Sequence, residues 1–385
     1  MTDTNRRAIL GMGLAAGMAG FAADALAQST TRGDAPTEGA PARPAPDAKY
    51  RLPFAVIGMD HNHIYGMTDA MIRGGGVLTS FYARDPQQIA MFRKRYPGVP
   101  LARSEEEILE NRAIKLVCSA AVPSLRAPLG IRVMRAGKDY LSDKAAVVSL
   151  AQLAEVRQAI KETGRKFGIM YSERLEVPAA VMAGQLVHDG AIGRVIQTVN
   201  LAPHRLSAPS RPAWFWDVAR NGGILTDVGS HQADQFLYLT GSKRAQVVAS
   251  QTGNFGHPDR PQFQDFGDML LNGDGGTGYV RVDWFTPDGL PTWGDGRLFI
   301  LGTEGFIELR KYVDLAGRPG GNHLFISDRK GTRYLDCSKV PLPFGPQFIT
   351  DLVERTSVAQ DQEGALLAAE LVLTASARAT PARAT

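Results

Sequence analysis

Asp227 and His231 are the residues of this chain whose types and spacing most directly suggest chemistry. They stand four residues apart, and helical pitch places side chains at that spacing on one face. The glycine pair Gly222-Gly223 just before them can begin such a helix. A carboxylate beside an imidazole forms a general acid/base pair. The residues alone leave two interpretations open: a catalytic pair, or a structural salt link with a histidine satisfied in the core.

A second chemical feature is the turn that follows the apolar run Phe54 to Ile57. A buried strand, a tight turn at Gly58 and a helix offer unpaired N–H groups and a positive dipole end to a dinucleotide pyrophosphate. The usual glycine positions of this turn are occupied by Gly58, Asp60 and His63, so only the first glycine is present. Because Asp60 adds bulk and negative charge near an anion, it must point away, or the cofactor sits differently, or no dinucleotide binds.

The two histidines of this turn, His61 and His63, have the spacing of a common metal-ligand pair. No further Cys/His cluster lies near them in the sequence, so we predict no metal site. We expect both histidines to contact the cofactor, with His63 either capping the helix or facing the phosphates or the nicotinamide. A structural histidine satisfied in the core is the alternative.

The end of the second predicted strand bears on the choice of cofactor. An acidic residue is expected there to bind the ribose 2′-hydroxyl, but Ala83 occupies that position and Arg84 follows. An arginine can pair with a 2′-phosphate, which favours NADP over NAD. In the alternative interpretation Arg84 is a solvated loop residue, and Asp85 only caps the next helix.

The pattern of elements predicts two folded domains. From residue 51 to residue 172 apolar strands alternate with helices, which is typical of a Rossmann domain with a parallel sheet covered on both faces. From residue 173 to residue 385 strand-like runs are separated by Gly- and Pro-rich turns, which predicts an α+β domain with a mainly antiparallel sheet. The fold class is therefore α/β followed by α+β. The second-domain strands are expected at 195–201, 246–252, 278–285, 298–302 and 306–310.

Composition agrees with this organisation and excludes other classes. A chain of 385 residues with 44% hydrophobic and 21% charged residues can form a sizeable core in about two domains. The formal net charge of +4 is small and the basic residues are scattered, which excludes a nucleic-acid partner. The two cysteines, Cys118 and Cys337, do not make a disulfide framework and are interpreted as core thiols.

The first 27 residues are predicted to be a twin-arginine signal peptide. Arg6-Arg7 precede a weakly hydrophobic Gly/Ala-rich run, and Ala25-Leu26-Ala27 supplies the small residues of a cleavage site. A membrane anchor is the alternative, but Asp24 and the many small residues make a poor bilayer span. Residues 28–50 are predicted to be a Pro/Ala-rich linker. The mature protein is thus expected in the periplasm, without a stable membrane span.

Three motifs together resemble the Gfo/Idh/MocA family of oxidoreductases, named for glucose–fructose oxidoreductase and inositol dehydrogenase. They are the altered glycine turn from Gly58 to His63, the run Tyr140-Leu141-Ser142-Asp143-Lys144 and the run from Gly222 to Asp234. The resemblance extends from about Arg51 to the C-terminal helix. It implies a Rossmann domain followed by an α+β domain with a large open sheet, through which such proteins assemble as dimers or tetramers.

The resemblance also implies roles for individual residues. Lys144 would lie beside the nicotinamide and the substrate hydroxyl. Asp227 would orient His231, which would take the hydroxyl proton during hydride transfer.

Several positions depart from the family pattern. The family glutamate is Asp143 here, and the proline after the lysine is Ala145. The family's usual Thr-Pro at a strand end is Val122-Pro123 here. The resemblance therefore implies that Pro123 contacts the cofactor, and it implies the same for Asp143 at the position of the family glutamate. Arg126 stands where a histidine is common.

The substrate is expected beside Trp214 and Trp216, whose run ends at Asp217. Flat rings next to a carboxylate suit a sugar, although a core or subunit-contact cluster is the alternative. Arg174 follows the predicted strand that ends at Tyr171, and His204 follows the predicted strand 195–201. Both strand ends are expected to face the substrate cleft, so both side chains are expected to contact the substrate.

The leading hypothesis is an NADP- or NAD-dependent oxidoreductase that acts on a hydroxyl of a sugar or polyol, with a tightly bound cofactor recycled in the site. A redox-neutral glycoside hydrolase and a ligand-binding protein that has lost its dinucleotide are the alternatives.

Overall fold

The computed structural model describes residues 42–45 and 48–382. The predicted signal peptide and most of the predicted linker lie outside these residues. The end of the linker that is described contacts the folded chain: the Ala42 amide donates to Asp69 at 3.2 Å, and the Tyr50 hydroxyl donates to Glu354 at 2.6 Å. Among the described helices, none combines the length and apolar character that crossing a bilayer requires.

The first sheet contains five parallel strands in the order β2-β1-β3-β4-β5. Four of the five strands are almost entirely buried, as expected of strands covered by helices on both faces, and the edge strand β2 is half-buried. The five strands are β1 (Leu52–Ile57), β2 (Gly76–Tyr82), β3 (Leu116–Ser119), β4 (Asp139–Asp143) and β5 (Phe167–Met170). The helices between them are α1 (His63–Arg73), α2 (Pro86–Arg95), α3 (Glu105–Glu110), α4 (Pro123–Arg135) and α5 (Leu150–Thr163). This confirms the predicted Rossmann architecture.

The second sheet contains nine strands in the order β13-β12-β11-β10-β6-β9-β8-β7-β14. Only the pairs β6–β9 and β7–β14 are parallel, so the prediction of a large, mainly antiparallel sheet is confirmed. The strands are β6 (Val195–Pro203), β7 (Ala245–Gly253), β8 (Phe266–Gly273), β9 (Thr277–Asp283), β10 (Arg297–Gly302), β11 (Phe306–Arg310), β12 (His323–Asp328), β13 (Gly331–Asp336) and β14 (Thr380–Pro381).

The helices of this second region include the one expected to carry the acid/base pair. They are α6 (Ser172–Leu175), α7 (Pro178–His188), α8 (Val218–Asn221), α9 (Ile224–Asp227), α10 (Gly229–Thr240), α11 (Phe344–Glu354) and α12 (Gln362–Arg378). Asp227 ends α9 and His231 lies in the first turn of α10, with Val228 between them in a helical conformation. The predicted single helix is therefore divided at this point.

The last two helices return to the first domain. A Cβ atom added to Gly345 at the start of α11 would lie 2.0 Å from the carbonyl oxygen of Ala70 in α1, so the two backbones are in close contact. The ring of Phe348 covers Gly168 of β5, where an added Cβ would lie 2.7 Å from the ring. The last strand of the parallel sheet, β5, ends at Met170 and the next strand, β6, begins at Val195, but the later helix α11 packs on the parallel sheet.

The packing of α11 on β5 can be tested by shortening the Phe348 side chain. Its side chain is 3% exposed, so Phe348→Ala leaves a cavity between α11 and β5 and should cost about 3–5 kcal/mol of unfolding free energy. Denaturant titration measures the change. The control Val358→Ala removes a side chain that is 68% exposed and should change stability by less than about 0.5 kcal/mol. Equal stability of the two variants would contradict the described packing.

Candidate active site

The turn after β1 has the geometry of a dinucleotide-binding turn. Gly58 has a φ of +78°, and an added Cβ would lie 2.6 Å from the Cβ of Ala121, so this position requires glycine. α1 begins five residues later, and its N-cap, Asn62, makes no side-chain capping bond. The strand order reverses between β1 and β3, which is where parallel α/β sheets bind ligands at the carboxyl ends of their strands.

Three residues predicted to contact the cofactor, Asp60, Arg84 and Pro123, lie on this turn or just after the neighbouring strands. The Asp60 carboxylate lies 3.5 Å from the Gln88 side-chain nitrogen of α2, so its charge is directed toward that helix. Arg84 is exposed at the end of β2, and its Nε donates to the Tyr82 hydroxyl at 3.2 Å. Pro123 begins α4, directly after the end of β3. All three lie around the same end of the sheet.

Asp143 is a buried carboxylate that holds both histidines of the turn. Its Oδ2 lies 2.7 Å from Nδ1 of His61, and its Oδ1 lies 2.9 Å from Nδ1 of His63. The Arg126 guanidinium lies 3.1 Å from Oδ2, and the Lys144 backbone amide donates to Oδ1 at 2.8 Å. Burial alone would raise the pKa of Asp143, but the neighbouring charges of His63, Arg126 and His61 hold it well below its usual range. Sequence reasoning placed Asp143 at the cofactor, and the structure adds its role in positioning two imidazoles.

The side-chain atoms of His61, His63 and Asp143 lie within 4.8 Å of one another, a spacing that a metal ion could occupy. The carboxylate already interacts with Arg126 and the Lys144 amide, and the guanidinium charge opposes a cation beside it. Burial lowers the pKa of His61 to about 4, so its imidazole is neutral at neutral pH. The prediction of no metal site rested on the lack of a third ligand near the two histidines in the sequence, and Asp143 supplies such a group in space. The contacts of Asp143 favour a hydrogen-bonded cluster.

Arg126 is a structural residue of the site that sequence reasoning left without a role. It is 1% exposed, its Nη1 donates to the carbonyls of Lys144 and Ala145, and its Nε donates to the carbonyl of Ala121 at 2.6 Å. The Lys144–Ala145 peptide bond is cis. Arg126 therefore fixes the turn from which the Lys144 side chain extends. The sequence signal that could have indicated this role is an arginine at a position where a histidine is common.

Lys144 and Asp227 form a buried ion pair between the two domains. Lys144 Nζ lies 2.7 Å from Asp227 Oδ1. Burial would raise the pKa of Asp227, but the Lys144 ammonium lowers it to about 2, so the carboxylate is ionised. This corrects the expectation that Asp227 orients His231. The reason is geometric: Asp227 lies at the end of α9, within reach of Lys144.

His231 is buried near this ion pair. Its side-chain Nδ1 has no hydrogen-bond partner within the part of the chain that the structure describes. Burial lowers its pKa to about 3; the charges of Lys144 and His63 act in the same direction, while Glu173 and Asp143 oppose them. The imidazole is therefore neutral at neutral pH and able to accept a proton. Lys144 and His231 come from separate domains and interact electrostatically in one site.

The other residues predicted to contact substrate divide into two groups. His204 packs against Trp293 and Trp284, with ring centroids 4.5 and 5.5 Å away, and burial lowers its pKa to about 4. The charges of Lys144 and Glu173 also act on it, so His204 belongs to the site.

Arg174, in contrast, forms a two-point ion pair with Asp234 of α10, at 2.5 and 3.0 Å, and its guanidinium stacks on Tyr238. It fastens α6 to α10, and its expected substrate contact is replaced by this pair.

The aromatic run also differs from the prediction. A small hollow adjoins Asp227, and Phe215 lines it, whereas Trp214 and Trp216 do not. Residues 213–216 form a 3₁₀ turn in which Phe215 is buried, and Trp216 packs on the Arg260 guanidinium at 3.8 Å instead. The hollow is lined by Phe215, Val218, Asn221, Gly223, Ile224, Asp227, Phe263, Gln264 and Trp284. Trp284 and Phe263 come from distant parts of the chain, which is why a local motif could not identify them.

Comparison with known proteins identifies the family. Residues 181–308 match the GFO/IDH/MocA C-terminal domain. A crystal structure from Erwinia carotovora atroseptica SCRI1043, provisionally described as an oxidoreductase, is 46% identical, covers 86% of this chain and 99% of its own, and superposes with a TM-score of 0.83. The chain belongs to the Gfo/Idh/MocA family of oxidoreductases.

More distant relatives have named activities. The scyllo-inositol 2-dehydrogenase (NAD(+)) of Bacillus subtilis (strain 168) is 26% identical over 59% of this chain and 62% of its own length. The levoglucosan dehydrogenase of Pseudarthrobacter phenanthrenivorans is 25% identical over 52% of each chain. The chain spans about half the length of the curated relatives it matches. A levoglucosan dehydrogenase structure in complex with NADH and levoglucosan, 19% identical over 86% of this chain and 98% of its own, shares the fold with a TM-score of 0.70.

The buried histidines predict the pH dependence of stability. The pKa values of His61 and His204 are about 4 and that of His231 is about 3 in the folded chain, below the ordinary value of 6.5. As the pH falls below about 6.5, these histidines become protonated in the unfolded chain but stay neutral in the folded chain. The free energy of unfolding should therefore decrease down to about pH 4.

Urea titrations between pH 8 and pH 4 measure this decrease. His61→Asn should flatten the slope by about one proton, whereas the exposed His188→Asn should leave it unchanged. A stability that stays constant over this range would contradict the burial of neutral imidazoles.

Proposed function

We propose that the protein transfers a hydride at a hydroxyl-bearing carbon of a sugar or polyol, with a nicotinamide dinucleotide as cofactor. The observation that carries the proposal is the meeting of Lys144, Asp227 and His231 from two domains in one buried site. Membership of an oxidoreductase family with dehydrogenases among its relatives supports the same conclusion.

The described residues fit a dinucleotide. The positive-φ Gly58 leaves space where a side chain would collide with Ala121, and the start of α1 supplies a positive dipole end for the pyrophosphate. His61 and His63, fixed by Asp143, border the same turn. When bound, the nicotinamide accepts or donates the hydride.

The chain's own residues handle the proton. His231, neutral at neutral pH, takes the proton of the substrate hydroxyl, as a general base does. The Lys144 ammonium stabilises the negative charge that develops on that oxygen, and it costs little reorganisation because Asp227 already holds it at 2.7 Å. Arg126 supports Lys144 from the opposite side through the carbonyls of residues 144 and 145.

The residue types around the hollow beside Asp227 support a carbohydrate as the substrate. Phe215, Phe263 and Trp284 are aromatic, as is common where sugar rings pack, and Asn221 and Gln264 carry amides that can bond to hydroxyls. Several curated relatives are dehydrogenases of D-xylose, scyllo-inositol or levoglucosan, which supports this substrate class.

Location and assembly complete the proposal. Arg6-Arg7 and Ala25-Leu26-Ala27 support twin-arginine export and cleavage after about Ala27. A periplasmic enzyme would keep its cofactor bound and recycle it in the site. Leu270, Leu301 and Phe306 are exposed on strands of the large sheet, which supports assembly as a dimer or tetramer through that face.

A substrate panel tests the function. Purified protein incubated with sugars, polyols and NAD(P)+ should reduce the cofactor with at least one of them, and His231→Ala should lower kcat by about 10²–10⁴-fold while cofactor affinity is retained. His188→Ala, at an exposed position on α7, is the control and should be fully active.

Full activity of His231→Ala would remove this residue from the mechanism. Sugar release from a glycoside without net cofactor reduction would support the redox-neutral hydrolase instead. Binding of sugar with neither reaction would support the ligand-binding alternative.

Cofactor choice is tested at Arg84, which we propose to pair with a 2′-phosphate. Its exposed guanidinium at the end of β2 supports NADP as the cofactor. Arg84→Ala should weaken NADPH binding by about 10- to 150-fold and leave NADH binding unchanged, since a charge-assisted hydrogen bond contributes about 1.5–3 kcal/mol. Fluorescence titration measures both constants. Equal effects on the two cofactors would contradict the proposed pairing.

A further inference from the structure

Glu173 is a buried carboxylate to which the mechanism above gives no role. It lies in α6, just after the end of β5, and is 4% exposed. Its Oε2 accepts hydrogen bonds from Lys311 Nζ at 2.7 Å and from Gln232 Nε2 at 3.0 Å. Lys311 is itself 1% exposed, so the ion pair is removed from water on both sides. A buried ion pair carries a large desolvation cost, and such pairs are often neutral or unfavourable compared with apolar side chains of similar volume.

The contacts of this pair lead to the turn of α10 that carries His231. Gln232, which donates to Glu173, is the next residue in the chain. Lys311 Nζ also donates to Gln235 Oε1 at 3.0 Å, and Gln235 Nε2 donates to the His231 carbonyl at 3.1 Å. Glu173 and Lys311 therefore hold the backbone of His231 through two glutamine side chains.

Three polar atoms of this network have no hydrogen-bond partner among the residues that the structure describes. They are Oε1 of Glu173, Oε1 of Gln232 and Nδ1 of His231, and all three are buried. Only the imidazole nitrogen can donate, because the other two are oxygens that accept. Leaving such groups unpaired costs about 1–3 kcal/mol each, and an ordered water with two such partners removes that cost. A carboxylate oxygen accepts and an imidazole nitrogen donates or accepts, so one water can bridge them.

The effects of Glu173 and His231 on each other's pKa agree with this arrangement. Burial lowers the pKa of His231, and among the charges that oppose this lowering that of Glu173 has the largest effect. In return, His231 and His204 help Lys311 to lower the pKa of Glu173 well below its usual range, so Glu173 is ionised. The other charged or titratable groups that act on His231 are Lys144, His63 and Asp143. Asp227 is bonded to Lys144.

We propose that Glu173 is the carboxylate that positions His231, through one ordered water between Oε1 and Nδ1. The inference rests on the proposed function for the role of His231. Glu173 favours the tautomer with the proton on Nδ1, which leaves the Nε2 lone pair for the substrate. During oxidation the substrate O–H proton moves to Nε2 and the hydride leaves the carbinol carbon for the nicotinamide. The Nδ1 proton stays in place, and the negative charge of Glu173 stabilises the imidazolium formed.

The test measures the tautomer directly. In the wild-type protein labelled with ¹⁵N-histidine at neutral pH, the His231 ring signals, assigned by their loss in His231→Gln, should show the proton on Nδ1. Glu173→Gln should shift the proton toward Nε2. Because this variant leaves Lys311 buried without a counter-ion, the double variant Glu173→Gln with Lys311→Met removes both charges and should show the same shift. Glu176→Gln is the control: Glu176 follows α6 and pairs with Arg73 instead.

Kinetics provides the second readout. Glu173→Gln and the double variant should lower kcat by about 10–100-fold with little change in KM, and Glu176→Gln should be near wild type. A wild-type proton on Nε2, or an unchanged tautomer in the folded double variant, would overturn the proposal even if His231→Ala is inactive. A shifted tautomer without any loss of kcat would instead show that His231 is not the base, so the failure of the two proposals can be distinguished.

Discussion

The site depends on charged groups that are kept out of water and must therefore satisfy one another. Asp143 is the centre of this constraint in the first domain. Its two oxygens hold His61, His63, Arg126 and the Lys144 amide, so one buried carboxylate fixes the turn after β1 and the turn after β4 together. Removing it would leave the Arg126 charge buried and unpaired, which costs several kcal/mol in proteins. The geometry of Lys144 follows from this cluster.

The second domain completes the site through Asp227, which reaches Lys144 across the domain boundary. This ion pair assigns protonation states. It keeps Asp227 ionised, with a pKa of about 2, and its ammonium helps burial to keep His231 neutral. An ionised acceptor for the lysine and a neutral base for the substrate proton are what oxidation of an alcohol requires. Burial keeps these imidazoles neutral, which lowers stability in acid, and it also leaves a ring nitrogen of His231 without a proton at neutral pH.

Much of this arrangement could be predicted from the sequence, because it depends on local patterns. The parallel sheet followed from alternating apolar runs. Lys144, Asp227 and His231 were identified through short motifs, and the structure brings them to one site. The prediction missed β8, β12, β13 and the two-residue β14. Glycines occur in β8 and β13, and polar residues interrupt the apolar pattern of β8, β12 and β13.

The partners within the site could not be predicted from the sequence. Asp227 was assigned to His231 from helical spacing, yet Lys144, 83 residues away in sequence, is its partner. Phe215 replaces its tryptophan neighbours in the hollow because a 3₁₀ turn, which spacing alone does not indicate, directs it inward. Arg174 was predicted to contact the substrate, but it pairs with Asp234 because α6 packs on α10. Each difference arises from contacts between distant segments, which local patterns do not report.

The central claim is that Lys144 and His231 act on one hydroxyl beside a nicotinamide ring. A crystal structure of the protein with NAD+ and an inositol or sugar from the active panel tests it most directly. The account predicts one substrate hydroxyl within hydrogen-bond distance of both Lys144 Nζ and His231 Nε2, with its carbon facing the nicotinamide. A nicotinamide ring bound elsewhere, or a substrate that contacts neither side chain, would contradict it.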